Sequence, residues 1–238
     1  MVQMRFILIL LVSMLTACSG GKAIAPIGSY KAQSQQTASS VYKVQSGDTL
    51  YSVSWRFGMD FKEVASINGI KSPYTIFVGQ KLRFKPYKRI ASKSKKNGVN
   101  KSSRQTTLLK VSPNQRLSWR WPMLGKVIST YSKSATGRKG IDIAGKSGQK
   151  VAAAATGKVV YSGNGLPRYG NLIIIKHNDA YLSAYAHNKN LLVREGQHVK
   201  AGQKIALLGR TGTQRDQLHF EIRRNGKPVD PMRFLPKR

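Results

Sequence analysis

The residues able to do chemistry collect near the end of the chain. All four histidines, His177, His187, His198 and His219, lie there. An imidazole can hold a metal ion or move a proton near neutral pH, and either task needs a partner, a carboxylate or a second imidazole. Three stretches in this region alternate apolar and polar residues with period two, the pattern of half-buried strands. In Gly140–Ile143 the two isoleucines face one way and Asp142 the other. Arg138 shares the Asp142 side if that strand extends so far. In Tyr181–His187 the alternation puts Tyr185 and His187 on one face, opposite Leu182, Ala184 and Ala186. In Gln217–Ile222 the residues Leu218, Phe220 and Ile222 face the core, leaving Gln217, His219 and Glu221 on the other side. Asp142, His187, Gln217 and His219 are therefore expected on one polar surface. His177 reads as a strand residue and His198 as a turn residue, both away from it.

One further reactive group stands apart. Cys18 is the only cysteine among 238 residues, so no disulfide can form within the chain. It follows an apolar run from Phe6 to Leu15 that only Ser13 interrupts. Such a run is too short for the ~20 residues that span a bilayer but fits a signal-peptide core. Leu15-Thr16-Ala17-Cys18 resembles a bacterial lipobox. That resemblance implies removal of residues 1–17, a lipid on Cys18, and outer-membrane delivery favoured by Ser19. Export makes nucleic acid a poor partner. This matters because the charge alone would suggest one: 41 Lys and Arg face 9 Asp and Glu, a net charge of +32. A surface of that sign attracts polyanions, including carboxylate-bearing cell-wall polymer.

Composition divides the rest. Residues 18–40 are rich in Gly, Ser, Gln and Ala and read as a flexible tether. Residues 41–86 have the pattern of a small compact unit. Residues 87–116 read as a basic, disordered linker; from Lys85 to Arg120 there are eleven Lys or Arg and no Asp or Glu. Residues 117–236 are dense in glycine and short β-branched runs.

The small unit is expected as β-α-α-β. Val41–Val44 is a short strand. Gly47-Asp48-Thr49 opens a helix with a buried stripe at Leu50, Val53 and Phe57, which Gly58 ends. Asp60 and Glu63 form a capping-box-like pair at the next helix, whose apolar face is Val64 and Ile67, and Asn68-Gly69 stops it. Leu82–Phe84 closes the unit. The segment resembles the LysM domains, on Gly47-Asp48-Thr49-Leu50, Asn68, Ile76 and Gly79-Gln80-Lys81-Leu82. The resemblance implies a groove for N-acetylglucosamine-containing glycan formed by Gly47, Asp48, Thr49 and Leu50 on one side and Ser72, Pro73, Tyr74, Thr75 and Ile76 on the other. Capping explains Asp48, Thr49 and Asn68 first, and sugar contact second.

The last segment resembles the M23, or LytM, zinc endopeptidases from Trp119 to Pro236. Those enzymes carry His-x-x-x-Asp and His-x-His motifs. Here the first reads Arg138-Lys139-Gly140-Ile141-Asp142 and the second Gln217-Leu218-His219. The resemblance makes Asp142 and His219 remnants of a metal set, and His187, in Tyr185-Ala186-His187, a remnant catalytic histidine. A catalytic zinc needs three protein ligands with lone pairs. Arg138 has none to give, and Gln217 cannot act as a general acid or base. No metal or cofactor is expected.

The order of lipobox, LysM, basic linker and altered M23 domain resembles the NlpD-type lipoproteins. That family implies an outer-membrane lipoprotein, enriched at the division septum, that binds peptidoglycan and activates a periplasmic N-acetylmuramoyl-L-alanine amidase. Arg138, Asp142, Tyr185, His187, Gln217 and His219 are then expected to line the partner groove. Two other readings stand beside it: an active zinc endopeptidase that recruits another ligand such as Glu221, and a purely structural wall tether. The expected fold is mainly β: a small βααβ unit, then a Gly-rich antiparallel sheet.

Overall fold

The computed structural model describes residues 41–84, 117–134 and 138–237. The leader at 1–17, Cys18, the tether at 18–40 and the linker at 87–116 lie outside them. In the first unit, β1 (Val41–Lys43) pairs antiparallel with β2 (Lys81–Arg83), placing Tyr42 opposite Leu82. Between them run α1 (Leu50–Phe57) and α2 (Phe61–Asn68). Thr49 caps α1: its side chain accepts from Ser52 N, and Ser52 answers at Thr49 N. Asp60 caps α2 by accepting from Lys62 N. The reciprocal box thus stands at Thr49 and Ser52, where a hydroxyl lies three residues on, and not at Asp60 and Glu63. Gly58 and Gly69 end the helices in the left-handed conformation. Val44, Leu50, Val53, Val64, Leu82 and Phe84 form the core of this unit.

The second unit is built on one ten-stranded, mainly antiparallel sheet. Its strands are β3 (Val127–Ser129), β4 (Ile141–Ala144), β5 (Lys150–Ala152), β6 (Gly157–Gly163), β7 (Asn171–Lys176), β8 (Tyr181–Leu191), β9 (His198–Val199), β10 (Lys204–Leu208), β11 (Gln217–Arg224) and β12 (Lys227–Val229). The main path runs β3-β4-β11-β8-β7-β6-β9. β10 joins β5 to β8, and β12 pairs with β11. His198 begins a short strand and is not in a turn. Ile141, Ile143, Ile173, Ile175, Leu218, Phe220 and Ile222 fill one side of the sheet.

The other side is not left to water. Val160, Leu172, Ile174, Leu182, Ala184 and Ala186 form a second cluster with Trp55 and Phe61 of the first unit. Residues 41–84 therefore share one compact body with the sheet.

Few acids are available in so basic a chain, and their use is informative. Asp48 accepts from Tyr42 and Gln45 N; Asp60 and Asp230 cap helical turns; Asp142 and Glu221 hold His219. Asp179 pairs with Lys62 and Lys176, Glu195 accepts from Ser162 N, and Asp216 from Ser147 N. Of the nine acids, only Glu63 has no such role among the described residues.

Candidate functional site

Strand register builds the site. β11 lies between β4 and β8, with His219 opposite Asp142 on one side and Ala186 on the other. His219 Nδ1 lies 2.6 Å from Asp142 Oδ1, and its Nε2 lies 3.1 Å from Glu221 Oε1. Burial alone would lower the pKa of His219. The hydrogen bonds and charges of Asp142 and Glu221 outweigh it and raise the pKa to about 9. The group is thus an imidazolium held between two carboxylates.

Glu221 is fully buried. Burial favours its neutral form, but the Arg223 guanidinium and His219 overcome this and hold it well below the usual carboxylate range. Tyr169 OH donates to Oε1 (2.7 Å) and Arg223 Nε to Oε2 (3.0 Å). Period-two reading had placed Glu221 beside His219, but nothing in the sequence marked it, Tyr169 or Arg223 as a connected set.

His187 enters by another route. Its φ of 67° breaks the β8 alternation, and its ring centroid lies 6.0 Å from that of His219. Nδ1 donates to Thr211 O (2.8 Å), which leaves Nε2 as the acceptor of a neutral ring. Burial lowers its pKa, partly offset by that hydrogen bond. Thr211 is held close by Gly170, where an added Cβ would lie 2.2 Å from Thr211 O.

The same break corrects the expected position of Tyr185. It does not share the groove with His187. Tyr185 is fully buried in the sheet core, where its hydroxyl accepts from Ala154 N (2.8 Å) and lies 2.9 Å from Ser183 Oγ. Strand alternation carries Tyr185 inward, and the left-handed residue after Ala186 turns His187 outward.

Gln217 lies on the groove side and donates weakly to Thr213 Oγ1 (3.4 Å). Arg138 precedes β4 and does not extend it. Its Nε and Nη2 both donate to Thr130, at the carbonyl and the hydroxyl, each 2.9 Å away. A cavity of about 500 Å³ opens beside Asp142 and Gln217, walled by Ser129 and the 212–215 loop. Arg138 does not line this cavity; it is bonded to Thr130, next to Ser129 of the wall.

In the first unit, Asp48 and Asn68 serve the fold. Asn68 donates to Val64 O and Arg83 O and accepts from Arg83 N. Thr49 caps α1 and also donates to Val160 O of β6 (3.1 Å). Tyr74 is half-buried against Tyr51 and Phe61, while Ser72, Pro73 and Thr75 are exposed.

Two family models match the chain: LysM domain over residues 42–85 and peptidase family M23 over residues 136–231. Among curated relatives, the lipoprotein NlpD/LppB homolog of Pseudomonas aeruginosa is 43% identical, over 95% of this chain and 89% of that one. The murein hydrolase activator NlpD of Escherichia coli is 42% identical, over 90% of this chain and 70% of its own. A third relative, the lipoprotein YgeR of Escherichia coli, is 46% identical over 94% and 88%. Identity at this level across nearly the whole chain places the protein in the NlpD/LppB lipoprotein family.

Proposed function

We propose that this protein is a wall-bound activator of peptidoglycan hydrolysis and is not itself a hydrolase. In this reading Cys18 carries the lipid that holds it to the outer membrane, and the LysM unit binds peptidoglycan glycan through Gly47–Leu50 and Ser72–Ile76. The groove beside Asp142, His187, Gln217 and His219 receives a periplasmic N-acetylmuramoyl-L-alanine amidase, with the protein concentrated at the division septum. Relatives named as murein hydrolase activators support the role.

The observation that carries the non-catalytic reading is the donor set. A catalytic zinc needs three ligands and an open position. Asp142 and His219 could supply two. The family's third position is Arg138, which has no lone pair and is turned to Thr130. Glu221, the substitute considered above, already receives Tyr169, His219 and Arg223. Releasing it would strand a buried guanidinium. The residues present therefore do not fit the group. Gln217 has no proton to exchange at neutral pH, so His187 would work without a partner base.

The test uses purified protein. Metal analysis should find no stoichiometric zinc, and labelled sacculi should release no dye to the protein alone but release it faster when amidase is added. Stoichiometric zinc with chelator-sensitive release would establish an endopeptidase instead. No change in amidase rate would leave a wall tether.

A further inference from the structure

Trp55 occupies an unusual place. On α1 it falls outside the Leu50, Val53 and Phe57 stripe, and it packs with the sheet rather than with the core of its own unit. It is 4% exposed. Arg223 of β11 stacks over it, the guanidinium carbon 3.6 Å from the ring centroid, and donates from Nη1 to Trp55 O (2.8 Å). Around this pair lie polar contacts between the same two units. Thr49 Oγ1 donates to Val160 O (3.1 Å), Arg56 Nη2 to Gly165 O (3.0 Å), and Lys62 pairs with Asp179 at 3.4 Å. At the β11–β12 turn the approach is so close that a Cβ on Gly226 would lie 2.4 Å from Asp60 N.

Two details give this contact a meaning. First, it engages part of the LysM face that would hold glycan: Thr49 is bonded to β6 and Tyr74 packs on the shared cluster, while Gly47, Ser72, Pro73 and Thr75 stay exposed. Second, it ends on the floor of the groove. Trp55 holds Arg223, Arg223 holds Glu221, Glu221 holds His219, and His219 holds Asp142. We infer that the LysM unit is an internal occupant of the sheet face, and that wall glycan and this docked arrangement compete for it. The inference rests on the proposed glycan-binding role. Thr49 cannot serve a sugar and Val160 in the same geometry, and glycan bound there requires the undocked chain. Undocking uncovers the sheet face next to Asp142 and His219 for the amidase.

Competition makes a quantitative demand. A ligand that binds only the undocked form has its apparent affinity reduced by the undocked fraction. With about one molecule in ten undocked, abolishing docking raises glycan affinity about tenfold.

The experiment uses the mature chain carrying Cys18→Ser, Lys62→Cys and Asp179→Cys, bridged by a short bismaleimide with a reducible disulfide. Titration calorimetry with an N-acetylglucosamine tetramer should show affinity at least tenfold weaker in the bridged chain, restored when the bridge is cut. Trp55→Ala, without a bridge, should bind the tetramer about tenfold more tightly than the parent. It should also stimulate the amidase on labelled sacculi more strongly than the parent does. Equal tetramer affinity before and after cutting overturns the competition. Equal amidase stimulation by bridged and cut chains overturns its link to the groove. Weaker tetramer binding in the bridged chain, with no amidase stimulated by any form, upholds the competition and removes the activator reading instead.

Discussion

His177 offers a sharp test of how this sheet is held together. It is buried just after β7, with Nδ1 2.9 Å from Thr156 O and Nε2 2.7 Å from Ser183 Oγ. A carbonyl can only accept, so Nδ1 carries a proton toward Thr156 O, while Ser183 Oγ beside Nε2 donates to Tyr185 OH. Burial favours the neutral ring and pushes its pKa down from 6.5 to about 4, against an opposing effect of the Thr156 carbonyl. A lowered folded-state pKa on a base means that the unfolded chain binds the proton first. The stability is complete above pH 6.5 and is lost as pH falls toward 4. With those two values the loss between pH 7.5 and pH 4.5 is about 2–3 kcal/mol. His177→Gln removes the titration while leaving the other acid-sensitive groups in place. Urea unfolding at the two pH values, read by tryptophan fluorescence, gives the comparison, since the Trp119 ring lies 4.9 Å from His177. The parent should lose about 2–3 kcal/mol more than the variant over this pH range. Equal losses in the two proteins would refute a neutral, buried His177.

Tyr185→Phe should cost about 1–3 kcal/mol in urea unfolding, because Ala154 N loses its buried acceptor, and it should leave amidase stimulation of the folded protein intact. Tyr185→Ala should cost about 3–5 kcal/mol, which makes it a core lesion and not a groove probe. Gly170→Ala places a Cβ against Thr211 O at a φ of 58°, so the His187 tether should loosen. Losing the Thr211 acceptor removes the contribution that offsets burial, so the His187 NMR titration should move further down. An unchanged His187 titration in folded Gly170→Ala would show that Thr211 does not hold the ring. Cys18→Ala should leave the outer-membrane fraction, since the acyl chains that anchor a lipoprotein stably are absent; continued co-fractionation with the membrane would count against the lipid anchor.

Much of the fold was legible because it follows from periodicity. The helix stripe at Leu50 and Val53, the caps at Thr49 and Asp60, and the inward Ile141, Ile143, Leu218 and Phe220 all follow from local rules. Asp142 and His219 were likewise read onto one face, and the register then set them opposite each other. The misreadings have physical causes. Alternation assumes extended backbone, and His187 departs from it with a positive φ, so Tyr185 was assigned to the wrong side. Arg138 was carried along a strand that begins only at Ile141. Trp55 and Arg223 could not be found by pattern. Each faces away from its own unit's core, and its burial depends on a second unit whose docking leaves no period in the sequence.

The placement of the nine acids has a consequence for how the molecule meets its surroundings. Because eight of them are committed to internal bonds, almost no carboxylate is left to answer the lysines and arginines from outside. Toward an anionic polymer mesh the protein is a polycation with few counter-charges of its own. Its hold on such a mesh is then shared among many weak, exchangeable contacts and governed by the small cations that must leave to make room. Magnesium and calcium, which bridge carboxylates, become direct rivals for the same positions. Local ion concentration would set how far one molecule wanders before the more selective contacts of its folded units arrest it.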